Sequence, residues 1–322
     1  MHRQPRLALG YWALPLKRCT TKVCGGGRER ASGPSRGERY AVRGGAVFTI
    51  VDRQELTKRD MISLTVEAPA IARRIRPGQF VILRVNETGE RLPLTVAYSD
   101  AVAGTITIIF QVVGKSTALL ASLPIGDAIR DLAGPLGAVM EFENVGTVVG
   151  IGGGSGIAVL HHLLIGYREA GNRVIGIVGA REKDLLILEH EMKHLCDHLI
   201  VTTDDGSYGM HGLVTDALKH LVEHGAHIDL AVAVGPLVMM RAVCQLTRLY
   251  DLPTVVSLNP IMIDGTGMCG GCRCTVGGER KFACVDGPHF DGHKVDFDEL
   301  MRRNATYSRD ERLSLLSSVR RG

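Results

Sequence analysis

Val148-Val149-Gly150-Ile151-Gly152-Gly153-Gly154-Ser155-Gly156-Ile157-Ala158 runs from an apolar, β-branched stretch into glycines and then into a helix-compatible pattern. A buried strand that ends in glycines at a helix N-terminus lets backbone N–H groups meet a pyrophosphate that any Cβ would obstruct. Gly152, Gly153, Gly154 and Gly156 are therefore candidate nucleotide contacts, although a tight strand-to-helix turn needs glycines even without a ligand. Around this stretch the chain alternates. β-branched runs at 146–151, 173–178, 198–202, 230–234 and 254–258 are separated by helical patterns at 156–170, 184–195, 215–224 and 236–249. Such alternation predicts a parallel sheet covered by helices on both faces, a Rossmann-like domain over 144–258.

Upstream the period changes to short β-branched runs at 48–51, 62–66, 79–85, 94–97 and 105–112, broken by Pro77-Gly78 and Ala103-Gly104. This spacing predicts an antiparallel barrel over 46–143. Residues 259–293 read as a compact Gly/Cys-rich lobe, and 294–322 as a charged terminal helix and tail. The expected fold class is thus multidomain β plus α/β.

With 322 residues, 45% hydrophobic and 22% charged, the chain has enough core for two or three domains. Its 39 glycines exceed the usual share and suit a cofactor binder. The net charge of +4 is unevenly placed, because residues 1–45 carry ten Lys/Arg against Glu29 and Glu38. That leaves a mildly acidic body without the basic face of a nucleic-acid binder. The leader, with Gly25-Gly26-Gly27 and scattered Arg, reads as disordered, either transit-like or an over-extended start ahead of Val47. No membrane span is expected, since glycines and His161-His162 interrupt the one uncharged stretch at 144–167. The cysteine spacing favours a metal centre in a reducing, cytoplasmic compartment over disulfides.

Asp264, Cys269, Cys272 and Cys284 reproduce the spacing of a plant-type [2Fe-2S] loop with aspartate in the first place. A structural zinc on Cys269, Cys272, Cys274 and Cys284 is the rival, since CxxC pairs serve zinc equally well. Past the second strand, Gly179-Ala180-Arg181-Glu182-Lys183 lacks the acid that grips a ribose in the dinucleotide fingerprint. Arg181 is either a 2′-phosphate contact or a solvated residue, so NAD and NADP both stay open. Asp204-Asp205 precedes Gly206 and Gly209 and marks a turn, with Asp205 in a pyridine-nucleotide loop or an Asx-turn. His190-Glu191-Met192-Lys193-His194 matches HExxH, but the apolar stripe of Leu185, Leu188, Met192, Leu195 and Leu199 puts these histidines on the solvated side. His220 and His224 repeat that spacing.

Arg91-Leu92-Pro93-Leu94-Thr95, Gly114-Lys115-Ser116-Thr117, the loop Thr203 to Gly209 and the run Leu258 to Cys269 together resemble the ferredoxin reductase-type flavoproteins. The likeness is greatest to the branch holding the dihydroorotate dehydrogenase electron-transfer subunit and the small subunit of NADH-dependent reduced ferredoxin:NADP oxidoreductase, also called sulfide dehydrogenase. It runs from about Val47 to Tyr307. The resemblance implies a Greek-key barrel binding FAD, with Arg91 on the pyrophosphate, Leu94 and Thr95 beside the isoalloxazine ring, and Gly114, Ser116 and Thr117 on the phosphates. It implies NAD(P)H as substrate, and a larger FAD/[4Fe-4S] partner akin to the glutamate synthase small subunit, linked to ferredoxin. Asp264 stands where the subunits serving dihydroorotate dehydrogenase carry cysteine, which points to the ferredoxin:NADP branch.

Overall fold

The computed structural model describes residues 48–58, 60–307 and 310–311; the expected leader and most of the expected C-terminal tail lie outside them. The first sheet is built from β1 (Phe48–Glu55), β2 (Met61–Glu67), β3 (Phe80–Arg84), β4 (Arg91–Asp100), β5 (Thr105–Gln111), β6 (Ala128–Ile129) and β7 (Asp131–Leu136), with short helices α1 (Pro69–Ala72) and α2 (Lys115–Ala121) in its connections. Alternation decides which face is buried. Ile62, Leu64 and Val66 of β2 lie opposite Phe110, Ile108 and Ile106 of β5 and point into one core, while Thr65 and Thr107 pair by their hydroxyls at 3.0 Å outside it. The strand order is β6-β1-β2-β5-β4-β3-β7, antiparallel throughout. Because only Arg130 separates β6 from β7, one stretch of chain pairs with both edges and closes the sheet into a Greek-key barrel.

The second sheet holds β8 (Thr147–Gly153), β9 (Arg173–Ala180), β10 (His198–Thr203), β11 (Met210–His211), β12 (Leu230–Val234) and β13 (Thr254–Ser257), parallel in the order β11-β10-β9-β8-β12-β13. Helices α3 (Gly156–Glu169) and α4 (Glu189–Leu195) cover one face, and α5 (Val214–Glu223) and α6 (Leu237–Arg248) the other. Val148, Val174 and Val178 pack toward α3, whereas Val149, Ile151, Ile175 and Ile177 pack toward α5 and α6. On the far side α3 meets the barrel, since Met61, Ala97 and Ile109 share a core with Leu160, Leu163 and Leu164. Burial on two sides explains why α3 is apolar almost all round.

One expectation needs correction. The helix over 184–195 is split into a 3₁₀ turn, Lys183–Leu185, and α4, because Leu188 takes a left-handed conformation (φ 54°) with Ile187 turned into the core. The lobe over 259–293 carries regular structure of its own. It contains a hairpin, β14 (Arg273–Val276) and β15 (Glu279–Phe282), turned by Gly277-Gly278 at positive φ. It also supplies β16 (His289–Asp291), which joins β13 as the antiparallel edge of the main sheet. Cys272, Cys274 and Cys284 accordingly lie in the core of that sheet. The terminal helix is α7 (Phe297–Asn304), capped where Asp296 accepts the Glu299 amide at 2.8 Å. Among the described residues no helix is long and apolar enough to cross a membrane.

Candidate functional site

The parallel order reverses between β8 and β12, and the carboxyl ends of those strands form the crevice where doubly wound sheets bind nucleotides. The candidate glycines there have separate duties. A Cβ on Gly156 would sit 2.5 Å from the Val234 carbonyl and 2.8 Å from Gly235 Cα, so Gly156 lets α3 start against β12. A Cβ on Gly152 would strike Leu160 at 2.9 Å, and one on Gly153 would strike the Met239 sulfur at 2.7 Å. Gly154 alone opens onto space: at φ +56° its missing Cβ would meet nothing within 4 Å. In the first turn of α3 the Ile157 amide donates to the Gly154 carbonyl and the Ala158 amide to the Ser155 carbonyl, both at 3.2 Å, and no side chain caps the helix.

Arg181 and Asp205, distant in sequence, come together beside this crevice, where the Asp205 amide donates to the Arg181 carbonyl at 3.1 Å. Asp205 forms an Asx-turn in which its carboxylate accepts the Ser207 amide at 3.0 Å, and the Ser207 hydroxyl together with that amide holds its pKa below the ordinary carboxylate value. Thr203 braces the turn by donating to the Tyr208 carbonyl at 2.7 Å. Tyr208 donates to Glu189 at 2.8 Å and lies under the Lys183 ammonium. Arg181 is exposed.

On the barrel, register sorts β4. Leu92 and Leu94 oppose Leu83 and Val81 and pack on the barrel core. Arg91, Pro93 and Thr95 oppose Arg84, Ile82 and Phe80 on the outer face. Leu94 therefore leads into the barrel, and Pro93 and Thr95 make the outer shelf. At the rim beside Arg91, Ser116 donates to Glu90 and so ties α2 to the start of β4. The Thr117 hydroxyl is engaged locally, accepting the amides of Gly114 (3.0 Å) and Val113 (3.1 Å). A Cβ on Gly114 would meet nothing within 4 Å.

The cysteine loop packs against the outer face of β3. A Cβ on Gly265 would lie 2.6 Å from Ile82 and 2.8 Å from Leu136. Asp264 accepts the amides of Thr266 (3.0 Å) and Cys269 (2.7 Å), and these bonds hold its carboxyl below the ordinary range. Cys272 and Cys284 are buried with their sulfurs 3.1 Å apart, and Cys269 is exposed. Burial, reinforced by Cys272, pushes the Cys284 thiol up to about 12. Cys274 turns toward the Lys281 carbonyl at 3.8 Å, and burial pushes it up to about 11. Among the described residues no three His, Cys, Asp or Glu side chains converge as a single-ion site. Three thiols and an ionised carboxylate on a loop with left-handed Gly265, Gly267 and Gly270 suit a two-iron cluster in donor chemistry.

The residues missed in sequence lie between barrel and sheet. His162 is buried with Nδ1 2.7 Å from the Val96 carbonyl. His161 lies against Tyr98 with ring centres 5.2 Å apart and ring planes tilted by 56°, and burial lowers its pKa to about 4. His289 Nε2 lies 3.2 Å from the Gly78 carbonyl. The available signal was a His pair inside an otherwise apolar helix. The HExxH histidines behave as surface groups, with His194 Nδ1 bonding the His190 carbonyl at 2.7 Å.

The model of the iron-sulfur cluster binding domain of dihydroorotate dehydrogenase B matches residues 259–296. A Thermotoga maritima protein described as a homolog of the dihydroorotate dehydrogenase B (NAD(+)) electron transfer subunit is 46% identical over 271 residues, 84% of this chain and 95% of its own. The Geobacillus thermodenitrificans dihydroorotate dehydrogenase B (NAD(+)) electron transfer subunit is 33% identical over 257 residues, 77% of this chain and 97% of its own. A chain of the solved NADH-dependent reduced ferredoxin-NADP oxidoreductase, described for flavin-based electron bifurcation, matches with TM-score 0.81 and 45% identity over 86% of this chain and all of that one.

Proposed function

The chain belongs to the family of dihydroorotate dehydrogenase B electron-transfer subunits and their homologues, and from that membership we propose that it is an oxidoreductase subunit relaying electrons between NAD(P)H, FAD and a [2Fe-2S] cluster. One observation carries the relay: Gly265 of the cysteine loop packs on Ile82, whose cross-strand neighbour is Pro93, two residues from Thr95 on the outer shelf of the barrel. Cofactors held by the loop and the shelf would be adjacent. Bound FAD accepts an electron pair as hydride and can release it singly to a cluster that takes one electron.

The protein's own groups position and insulate. Arg91 offers a fixed positive charge to the flavin pyrophosphate and the Gly114–Thr117 turn supplies amides, while Glu90 must release Ser116 to make room. Thr95 presents a hydroxyl from a rigid strand. Gly154 and the α3 amides receive the nucleotide phosphates, and Arg181 and the Asp205 turn border its adenosine end. Asp264, Cys269, Cys272 and Cys284 are the iron ligands, and the amides of the glycine-rich loop stabilise the anionic centre. Cys284 loses its proton only to metal, because burial otherwise keeps it neutral. The free cysteines among the described residues fit the cytoplasm.

A partner subunit completes the enzyme. We take it to be a larger FAD/[4Fe-4S] protein akin to the glutamate synthase small subunit, coupling NADH, ferredoxin and NADP by bifurcation, because Asp264 favours that branch and the 45% identity to its solved chain exceeds the 33% to the Geobacillus thermodenitrificans subunit. Anaerobic isolation of the native complex, with iron, sulfide and flavin analysis and identification of the co-purifying subunit, tests it. Co-purification with a dihydroorotate dehydrogenase would instead select the other branch, and a colourless chain would end the relay.

A further inference from the structure

Two imidazoles of the α/β domain reach across the seam to carbonyls of the barrel. His162 Nδ1 lies 2.7 Å from the Val96 oxygen, and since a carbonyl only accepts, Nδ1 carries the hydrogen. By the same logic His289 donates from Nε2 to the Gly78 oxygen at 3.2 Å, leaving its buried Nδ1 without a partner. The two acceptors are neighbours, because the Val96 amide donates to the Gln79 carbonyl at 3.3 Å. Gly78, at φ +86°, makes the approach possible: a Cβ there would lie 2.3 Å from His289 Nε2.

Through His162 the clasp grips the barrel one residue from Thr95 and, at its other end, stands on α3 six residues beyond Gly156. Its surroundings are apolar: Met61, Ala97, Ile109, Leu160 and Leu163 fill the seam. Leucine in place of His162 would seal that seam with less desolvation cost, but it would let helix and strand slide, since apolar contact has no direction. Two hydrogen bonds at fixed angles define one register.

We infer that His162, which bonds α3 to β4, and His289, which bonds β16 to the Gly78 turn ahead of β3, are positioning residues that set how the nucleotide-bearing α/β domain is held against the flavin-bearing barrel. This rests on the relay function above and adds the device that aligns its two ends. Misplacing donor and acceptor by about 1 Å costs roughly 100-fold in rate.

The test compares three variants of the FAD- and cluster-loaded protein. His162→Asn puts an N–H where Nδ1 stands, His162→Gln moves it outward, and His162→Leu removes it. Single-turnover flavin bleaching by saturating NADH should fall about 10- to 100-fold in the Gln and Leu variants and stay within about threefold in Asn. FAD content and NADH Kd should hold in all three. Deuterium exchange over residues 92–98, which needs no turnover, should quicken in Gln and Leu and match wild type in Asn. If Leu does not fold, the Asn and Gln pair decides. Wild-type rates in Gln or Leu, an Asn variant as slow as the others, or unchanged exchange in Gln and Leu overturns the clasp. A wild-type flavin that NADH and NADPH both leave unbleached overturns the relay itself, and exchange still judges the clasp.

Discussion

Replacing Gly156 by alanine drives a methyl carbon to 2.5 Å from the Val234 oxygen and 2.8 Å from both Gly235 Cα and Gly235 N. Comfortable carbon contacts begin near 3.5 Å, so the shortfall is about 1 Å. The obstructing atoms are backbone at the end of β12 and cannot rotate away, so α3 must lift at its N-terminus. Overpacking of this kind costs about 1–3 kcal/mol, against a helix-propensity gain of at most about 1 kcal/mol for Gly→Ala. A net loss of about 1–2 kcal/mol lowers Tm by roughly 2–8 °C in a domain of this size. The lifted amides would also weaken nucleotide binding. Gly154→Ala is the comparison: no neighbour lies within 4 Å, so it costs only about 1–2 kcal/mol of left-handed backbone strain, and its methyl obstructs the ligand directly. Thermal unfolding and fluorescence titration with NADH on both variants separate the effects. A Gly156→Ala protein that melts at or above the wild-type temperature would show that the helix is not pinned against β12, and the reasoning fails.

Stability should also depend on acid. Burial holds His161 at about 4 in the fold, against 6.5 for the free group, so between those values the unfolded chain binds a proton that the folded chain refuses. Unfolding free energy therefore falls as pH drops from 6.5 to about 4 and levels off below, by up to about 3 kcal/mol; His289, held at about 4, adds in the same direction. His161→Phe keeps a ring against Tyr98 and should flatten the slope in denaturant titrations between pH 6.5 and 4.5; an unaltered slope would mean His161 is not the group titrating. At the cluster, Cys272→Ser and Cys284→Ser should lose iron and sulfide, whereas Cys274→Ser should retain both and lose about 1–3 kcal/mol for burying a hydroxyl. Equal iron loss in all three would return Cys274 to the ligand set. Asp264→Cys should keep two irons and shift the midpoint potential; an unmoved midpoint would remove Asp264 from the ligands.

The barrel and the parallel sheet were legible in the β2 and β5 alternation and in the strand-to-glycine-to-helix turn, since both patterns come from local burial. The hairpin and β16 within 259–293 were not. Their strands are three and four residues long, and β16 exists because β13 offers an edge. Leu94 shows the same limit from the other side. Its place in the motif suggested a flavin contact, while register against Val81 turns it toward the barrel core.

Sequence alone determined the spacing of Asp264, Cys269, Cys272 and Cys284 and the glycine turn at 152–156, because a ligand loop and a backbone turn are short-range covalent facts. Which of those glycines opens to a ligand and which only lets two elements touch was decided by the approach of β12 to α3. The seam required the tertiary structure entirely. His162 bonds a carbonyl 66 residues away and His289 one 211 residues away. Every residue carries a backbone carbonyl, so such an acceptor leaves no mark in the order of side chains, and only the folded chain selects it.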